Sequence, residues 1–173
     1  MAGMSANSPH LIMLCTGNAA RSVMAGAALS RLAPHVEVTT AGTHVIEGQP
    51  MSWRTRDALR DIDVDVPNHR SRQLRSSDLA DVDIVVCAAI EHVAYVRRTH
   101  PEAAARTATL KRLARDLPTT AGDLPSRVAA LKLDAIELEP WEDIDDPAGG
   151  DAPVFVACAR EVLALIEQVA EHL

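Results

Sequence analysis

The sequence is poor in aromatic residues. Trp53, Tyr95, Trp141 and Phe155 are the four of them, 2% of 173 residues. A planar ligand therefore finds few faces to stack on. Cysteine is also scarce: Cys15, Cys87 and Cys158 stand far apart, with no C-x2-C spacing. The seven histidines are scattered and form no H-x3-H pattern. Neither a disulfide framework nor a metal-site spacing is present, so no metal or cofactor is expected, and a reducing cytoplasm is the simplest location. No apolar run approaches the roughly 20 residues that a membrane-spanning helix needs. The opening MAGMSANSP lacks a basic region followed by a long apolar core. Residues 1–8 are expected to be a frayed tail rather than a signal peptide. Basic charge is in deficit, 17 Lys and Arg against 24 Asp and Glu, for a net charge of -7. That balance argues against nucleic acid or an anionic membrane as partner, while leaving room for one local pocket that takes a small anion.

What is present suits a soluble globular chain: 47% hydrophobic and 24% charged residues. The length fits one domain over 1–173. His10 to Leu14 is a short continuous apolar run, the mark of a strand buried on both faces. Met24, Ala27, Ala28 and Leu32 then recur at helical spacing up to Pro34. Val36 to Thr40 alternates and is β-branched, a second strand. Ser52 to Ile62 reads as a helix capped by Ser52. Asp83 to Cys87 is a third strand, followed by a helix over about Glu91 to Arg98. Arg106 to Leu110 is a weakly signalled fourth strand. Lys111 to Leu138 reads as helical in two pieces, broken by PTTAGDLP. From Val154 onward an amphipathic helix closes the chain. Strands alternating with helices give an α/β fold of three layers, α/β/α, around a twisted parallel four-stranded sheet. Ligands of such sheets sit beyond the carboxyl ends of the strands.

One stretch at such an end, LIMLCTGNAARSVMAGAAL, carries chemistry. A turn from strand into helix leaves backbone N–H groups without intrahelical partners. Thr16, Gly17, Asn18, Ala19 and Ala20 are small or turn-tolerant, so the loop can curl until those groups converge on one oxyanion. Arg21 closes the ring, its planar fork matching two oxygens of a tetrahedral anion. Cys15 lies at the base of this cradle, where a field that holds an anion also favours a thiolate. Ser22 can donate to the sulfur. A nucleophile and a clamp for a phosphoryl group thus occupy eight residues. The plain alternative for Cys15 is a small buried hydrophobe at a strand end.

The stretch Cys15 to Ser22, CTGNAARS, resembles the C-x5-R-S loop of the low-molecular-weight protein tyrosine phosphatase family. Three further segments match that family in order: AGTH (Ala41 to His44), NHRSRQL (Asn68 to Leu74) and DDP (Asp145 to Pro147). The resemblance implies a phosphate-binding loop after the first strand and a metal-independent phosphomonoesterase. It also implies roles. Cys15 is the nucleophile; Arg21 and the loop amides of Thr16 to Ala20 hold the phosphate. Ser22 stabilises the thiolate, Asn18 braces the loop with His69 as partner, and Asp146 is the general acid. The plain alternatives are a loop-capping Asp146 and a structural His69. The implied substrate is a phosphorylated protein or a small aryl phosphate, and the implied state a monomer or weak dimer.

The sequence departs from the family pattern in five places. Ala148 and Gly149 follow Pro147, and Val45, Ile46 and Glu47 occupy the loop after AGT. Aromatic walls are usual at both. Trp53 and Trp141 are the candidates to replace them, and strong phosphotyrosine selectivity is in doubt. Ala20 replaces the second cysteine that many members carry, which removes a route to a reversible disulfide. CAAIEH (Cys87 to His92) stands where the family often has an Asp and a Ser-Asn pair. Finally, Lys111 to Leu138 looks long for the family, and a helical insertion over about 111–138 near the active-site edge is expected. Two rival readings are carried: arsenate reduction on the same fold, which needs cysteines able to approach Cys15, and a non-catalytic oxyanion-binding module.

Overall fold

The computed structural model describes residues 8–173. Of the expected frayed tail, only Ser8 falls among them. Four strands form one parallel sheet in the order β2-β1-β3-β4, with β1 at His10–Cys15, β2 at Glu37–Gly42, β3 at Ile84–Cys87 and β4 at Thr107–Thr109. The weak fourth strand is real but only three residues long. β1 and β3 are central and covered on both faces, which is why HLIMLC and IVVC are continuous apolar runs. β2 lies at an edge, where burial rises along the strand from exposed Glu37 to buried Ala41 and Gly42.

Right-handed crossovers decide which helix covers which face. The chain leaves β1 through α1 (Arg21–Leu32) toward β2, and leaves β3 through α3 (Ile90–Thr99) toward β4. The two crossovers run in opposite directions, so α1 and α3 fall on opposite faces. Leu11, Met13, Ile84 and Val86 point to the α1 side, where Met24, Leu29, Val162 and Ile166 complete one core. Ile12, Leu14, Val85 and Cys87 point the other way onto Val93, Val96 and Leu79. Each fully buried aliphatic side chain of this kind contributes about 1.5–3 kcal/mol. α6 (Ala152–Ala170) packs beside α1, and α2 (Trp53–Asp61) packs on α6. Ser52 caps α2 by accepting from Thr55 N at 3.2 Å.

The segment after β4 differs from its sequence reading. Its two helical pieces are short, α4 (Leu110–Asp116) continued by a 3-10 turn at Leu117–Thr119, and α5 (Leu124–Ala130), and residues 131–139 are irregular. The α5 helix is not near the active-site edge. It packs on the 3-10 turn Pro101–Arg106 that precedes β4, and Arg127 Nη1 donates to His172 O, beyond the end of α6, at 2.6 Å. Both partners lie at the amino ends of the strands. The reason is direction: α4 starts at the carboxyl end of β4 and runs back along the sheet, so α5 begins at the opposite pole.

No helix among the described residues is long and apolar enough to cross a membrane. The strand order reverses between β1 and β3, and the crevice beyond their carboxyl ends is where the chain places Cys15.

Candidate active site

Residues 15–22 leave β1 and wrap into the start of α1. No side chain caps α1 at Ala20, so its first amides stay directed into the loop. The curl requires one residue in the left-handed region, and Asn18 takes it at φ 51°. A segment from another part of the chain holds Asn18 there. Its carbonyl accepts from His69 Nε2 at 2.7 Å and from Ser71 Oγ at 2.9 Å. Its side-chain oxygen accepts from Arg72 N at 3.0 Å. NHRSRQL is therefore a splint for the loop, and His69 bonds the main chain of Asn18 rather than its side chain. A carbonyl only accepts, so the bonded His69 nitrogen carries the proton.

The remaining bonds of Asn18 set the sulfur's surroundings. Asn18 Nδ2 donates to Ser22 Oγ at 2.9 Å, and Ser22 Oγ lies 3.0 Å from Cys15 Sγ. With one lone pair engaged by Asn18, the Ser22 hydroxyl has its own proton free to donate to the sulfur. The AGTH segment supports the outer side of the loop: Thr43 N donates to Cys15 O at 2.9 Å and His44 N to Thr16 O at 3.0 Å. Gln73 ties this segment to the splint, donating to Thr43 O at 2.7 Å and accepting from Val45 N at 3.0 Å.

Arg21 is 4% exposed, and Nη1 donates to Ile144 O at 3.0 Å while Nη2 lies 3.2 Å from Asp146 Oδ2. Asp146 is half exposed, and its other oxygen accepts from Ala148 N at 3.0 Å. One main-chain bond and one side-chain bond anchor the loop before Asp146: Ile144 N donates to Ala88 O at 2.9 Å and Ile90 N to Asp143 Oδ1 at 2.7 Å. So Cys15, Thr16 to Ala20, Arg21, Ser22, His69 and Asp146 converge on one site, although Asp146 is 125 positions from Arg21 in sequence.

Neither tryptophan supplies an aromatic wall. Trp53 is exposed at the start of α2 and stacks with Arg54. Trp141 stacks with Arg112 and Arg115 beside α4. The cleft beside the loop, about 370 Å³, is lined by Ala19, Ala20, Ser52, Arg54, Thr55, Ala148, Gly149, Gly150 and Phe155. Small side chains and one cation make up most of this lining, and Phe155 contributes its ring. Cys87 and Cys158 are both buried, and burial pushes both thiols up, Cys158 to about 12. Cys87 shares its register with Leu14 and so points to the sheet face opposite Cys15.

Sequence reasoning missed three participants. His92 is 1% exposed and bonded to Thr16. The buried pair Arg112–Glu142 holds the turn that leads into the Asp146 loop. Thr55 Oγ1 donates to Ala19 O at 3.0 Å. The available signal for His92 was its place on the apolar side of α3 with Val93 and Val96.

The family described as low molecular weight phosphotyrosine protein phosphatase matches residues 10–127. A protein-arginine-phosphatase of Geobacillus stearothermophilus is 30% identical over 165 residues, covering 95% of both chains. The low molecular weight protein-tyrosine-phosphatase Etp of Escherichia coli K12 is 29% identical over 107 residues, 62% of this chain and 71% of the relative. The solved low molecular weight protein tyrosine phosphatase from T. tengcongensis superposes with a TM-score of 0.77 at 26% identity, covering 96% of this chain and 100% of that one. With the matched family spanning the loop, both of its supporting segments and most of the sheet, the chain is a phosphatase belonging to the low molecular weight phosphotyrosine protein phosphatase family.

Proposed function

We propose that this chain hydrolyses phosphate from protein side chains through a cysteinyl-phosphate, with Cys15 as nucleophile and Asp146 as general acid and base. The observation that carries the proposal is the convergence of Cys15 Sγ, its Ser22 donor, the Arg21 guanidinium and the Asp146 carboxylate at the mouth of one loop. In the first step the sulfur's electron pair forms the S–P bond as the P–O bond of the ester breaks. Asp146 delivers its proton to the leaving oxygen. In the second step Asp146 takes a proton from water, the water oxygen attacks phosphorus, and the S–P bond breaks to return the thiolate and inorganic phosphate. Arg21 and the loop amides carry the charge of the equatorial oxygens throughout.

The aryl phosphate reading, phosphotyrosine in proteins, is supported by the family description and by the relative Etp. A second reading, phosphoarginine, in which a P–N bond breaks and Asp146 delivers its proton to the leaving nitrogen, is favoured by a cleft lined mostly by small side chains. The relative named protein-arginine-phosphatase, matched along 95% of both chains, supports it too. Arsenate reduction by cysteine relay is disfavoured, because Cys87 points to the other sheet face and Cys158 has its thiol pushed up to about 12.

The deciding experiment is steady-state hydrolysis of p-nitrophenyl phosphate near pH 6 by wild type, Cys15→Ser and Asp146→Asn. Turnover lost in the first variant and strongly slowed in the second supports the mechanism. A folded wild type without turnover overturns it, and arsenate with a thiol donor is then the next substrate. The ratio of kcat/KM on phosphotyrosine and phosphoarginine peptides chooses between the two acceptors.

A further inference from the structure

His92 has no role in the mechanism above, yet it is buried against the residue that follows the nucleophile. Its hydrogen-bond partners fix where every proton lies. Nδ1 is 3.1 Å from the Ala89 backbone N–H, so Nδ1 accepts and carries no proton. The ring is neutral, because burial and the nearby Arg21 charge disfavour the imidazolium. The single ring proton is therefore on Nε2, which lies 2.9 Å from Thr16 Oγ1 and donates to it. A hydroxyl that accepts in this way is turned so that its own proton points elsewhere. Among the described residues the acceptor within reach is Glu91 Oε1, at 3.4 Å from Thr16 Oγ1 and also 3.4 Å from His92 Nε2, on a mostly exposed side chain. That is a long bond in competition with water.

Thr16 is also fixed at its main chain, where His44 N donates to its carbonyl at 3.0 Å. Its side chain therefore has a set direction at the lip of the loop, one residue from Cys15. We propose that the Thr16 hydroxyl donates a hydrogen bond to an oxygen of the substrate's phosphoryl group, and that His92 is the positioning residue that aims it. The mechanism rests on the phosphatase reading; the anion contact does not. His92 transfers no proton. It holds the hydroxyl in the donor orientation before substrate arrives, so that no reorientation is needed as charge develops on the phosphoryl oxygens.

The test is a double-mutant cycle with two readouts, kcat/KM on p-nitrophenyl phosphate and the affinity for inorganic phosphate by calorimetry. Thr16→Val keeps the shape and removes the hydroxyl. His92→Phe keeps the ring's bulk and removes the donor. Each is expected to lower both readouts about tenfold, the range for a hydrogen bond to a charged oxygen. The double variant is expected to equal Thr16→Val alone, since His92 acts only through Thr16. Thr16→Ser and His92→Gln restore a hydroxyl and an N–H donor respectively, and are expected to recover most of the loss. Thr16→Val with wild-type values overturns the proposal. So does a His92→Phe loss that is as large in the Thr16→Val background as in wild type. Should His92→Phe fail to fold, the Thr16→Val and Thr16→Ser pair still decides whether the hydroxyl contacts the anion. A wild type that binds phosphate without turnover overturns the phosphatase mechanism. The affinities of the variants then decide the Thr16 contact separately.

Discussion

Asp146 Oδ2 sits 3.2 Å from Arg21 Nη2, so the proposed acid and the proposed phosphate clamp form an ion pair with each other. A bound phosphate must compete with that carboxylate for the guanidinium. Asp146→Asn removes the competing charge and the acid together. The expected outcome is a kcat lower by about 10²–10⁴, together with tighter binding of inorganic phosphate. Rate and affinity thus move in opposite directions, which steady-state kinetics and calorimetry on the same preparation would reveal. An Asp146 that merely caps its loop would leave kcat within a fewfold of wild type.

Gly42 explains why AGT precedes His44. A Cβ there would lie 2.5 Å from Thr16 O and 3.0 Å from Asn18 N, both backbone atoms of the phosphate loop. Neither can give way without moving the loop. Gly42→Ala is expected to lower kcat/KM at least about tenfold, because small displacements of a positioned group are costly. Its thermal unfolding should change less than its activity. Equal activity in Gly42→Ala and wild type would show that the loop tolerates the shift.

His92 also leaves a mark on stability. Burial first, then the charges of Arg21 and His44, push its pKa down to about 3, with Asp146 acting the other way. An unfolded histidine titrates near about 6.5. Between those values the unfolded chain binds a proton that the native chain refuses, so acidification favours unfolding. From pH 7 to pH 5 this group alone should cost about 2 kcal/mol. Urea unfolding across that range is expected to show a clearly shallower pH slope for His92→Phe than for wild type.

Arg112 and Glu142 form a buried ion pair, with Nη2 to Oε1 at 2.5 Å and Nε to Oε2 at 3.0 Å. Thr109 Oγ1 and Glu139 N complete the carboxylate's donors at 2.9 Å each. Burial works to raise the Glu142 pKa, but these donors outweigh it and hold the group below its ordinary value. Arg112→Met would strand a buried carboxylate and is expected to cost about 3–5 kcal/mol, while Arg112→Met with Glu142→Leu loses less. The contribution of Glu142 is fully present above its unfolded value of about 4.3 and is lost as pH falls through the lower native one. Glu142→Gln should therefore show a weaker loss of stability below pH 4.3 than wild type in denaturant titrations.

The sheet, its helices and the phosphate loop were legible because their signals are local. Apolar runs mark β1 and β3, and small residues between Cys15 and Arg21 mark the turn. Asp146 was legible only through its resemblance to a motif, since nothing near it in sequence points to Arg21. For His92 only burial was legible, from its place on the apolar side of α3; its bond to Thr16 was not. Its role depends on β1 and β3 being neighbours in parallel register, which brings Thr16 beside the start of α3. The expectation that the second helical piece of 111–138 lies near the active-site edge failed for a related reason. Helical periodicity reports a face but not the pole of the sheet at which a helix ends.

Ala20 and the two cysteines outside the loop set the expected reactivity of the thiols. Cys87 is raised by burial with Cys15 adding to it, and Cys158 reaches about 12 mainly through burial. A thiol with that pKa is a thiolate in only about 10⁻⁵ of molecules at pH 7, so neither should react with iodoacetamide while the protein is folded. Mass spectrometry of native protein should therefore find one alkylated cysteine, Cys15, and none in Cys15→Ser. Peroxide carries the same logic further. An oxidised Cys15 has alanine at position 20 in place of a resolving thiol, and Cys87 faces the other side of the sheet. Its sulfenic acid is left to proceed to the sulfinic acid, which dithiothreitol does not reverse. Activity lost to excess peroxide should stay lost after reduction. Substituting Ala20→Cys should make a large share of that loss recoverable, since it returns a thiol to the loop five residues from the nucleophile. Full recovery in wild type would mean that Cys158 or another nucleophile reaches the oxidised sulfur by a motion that the packed α6 does not suggest.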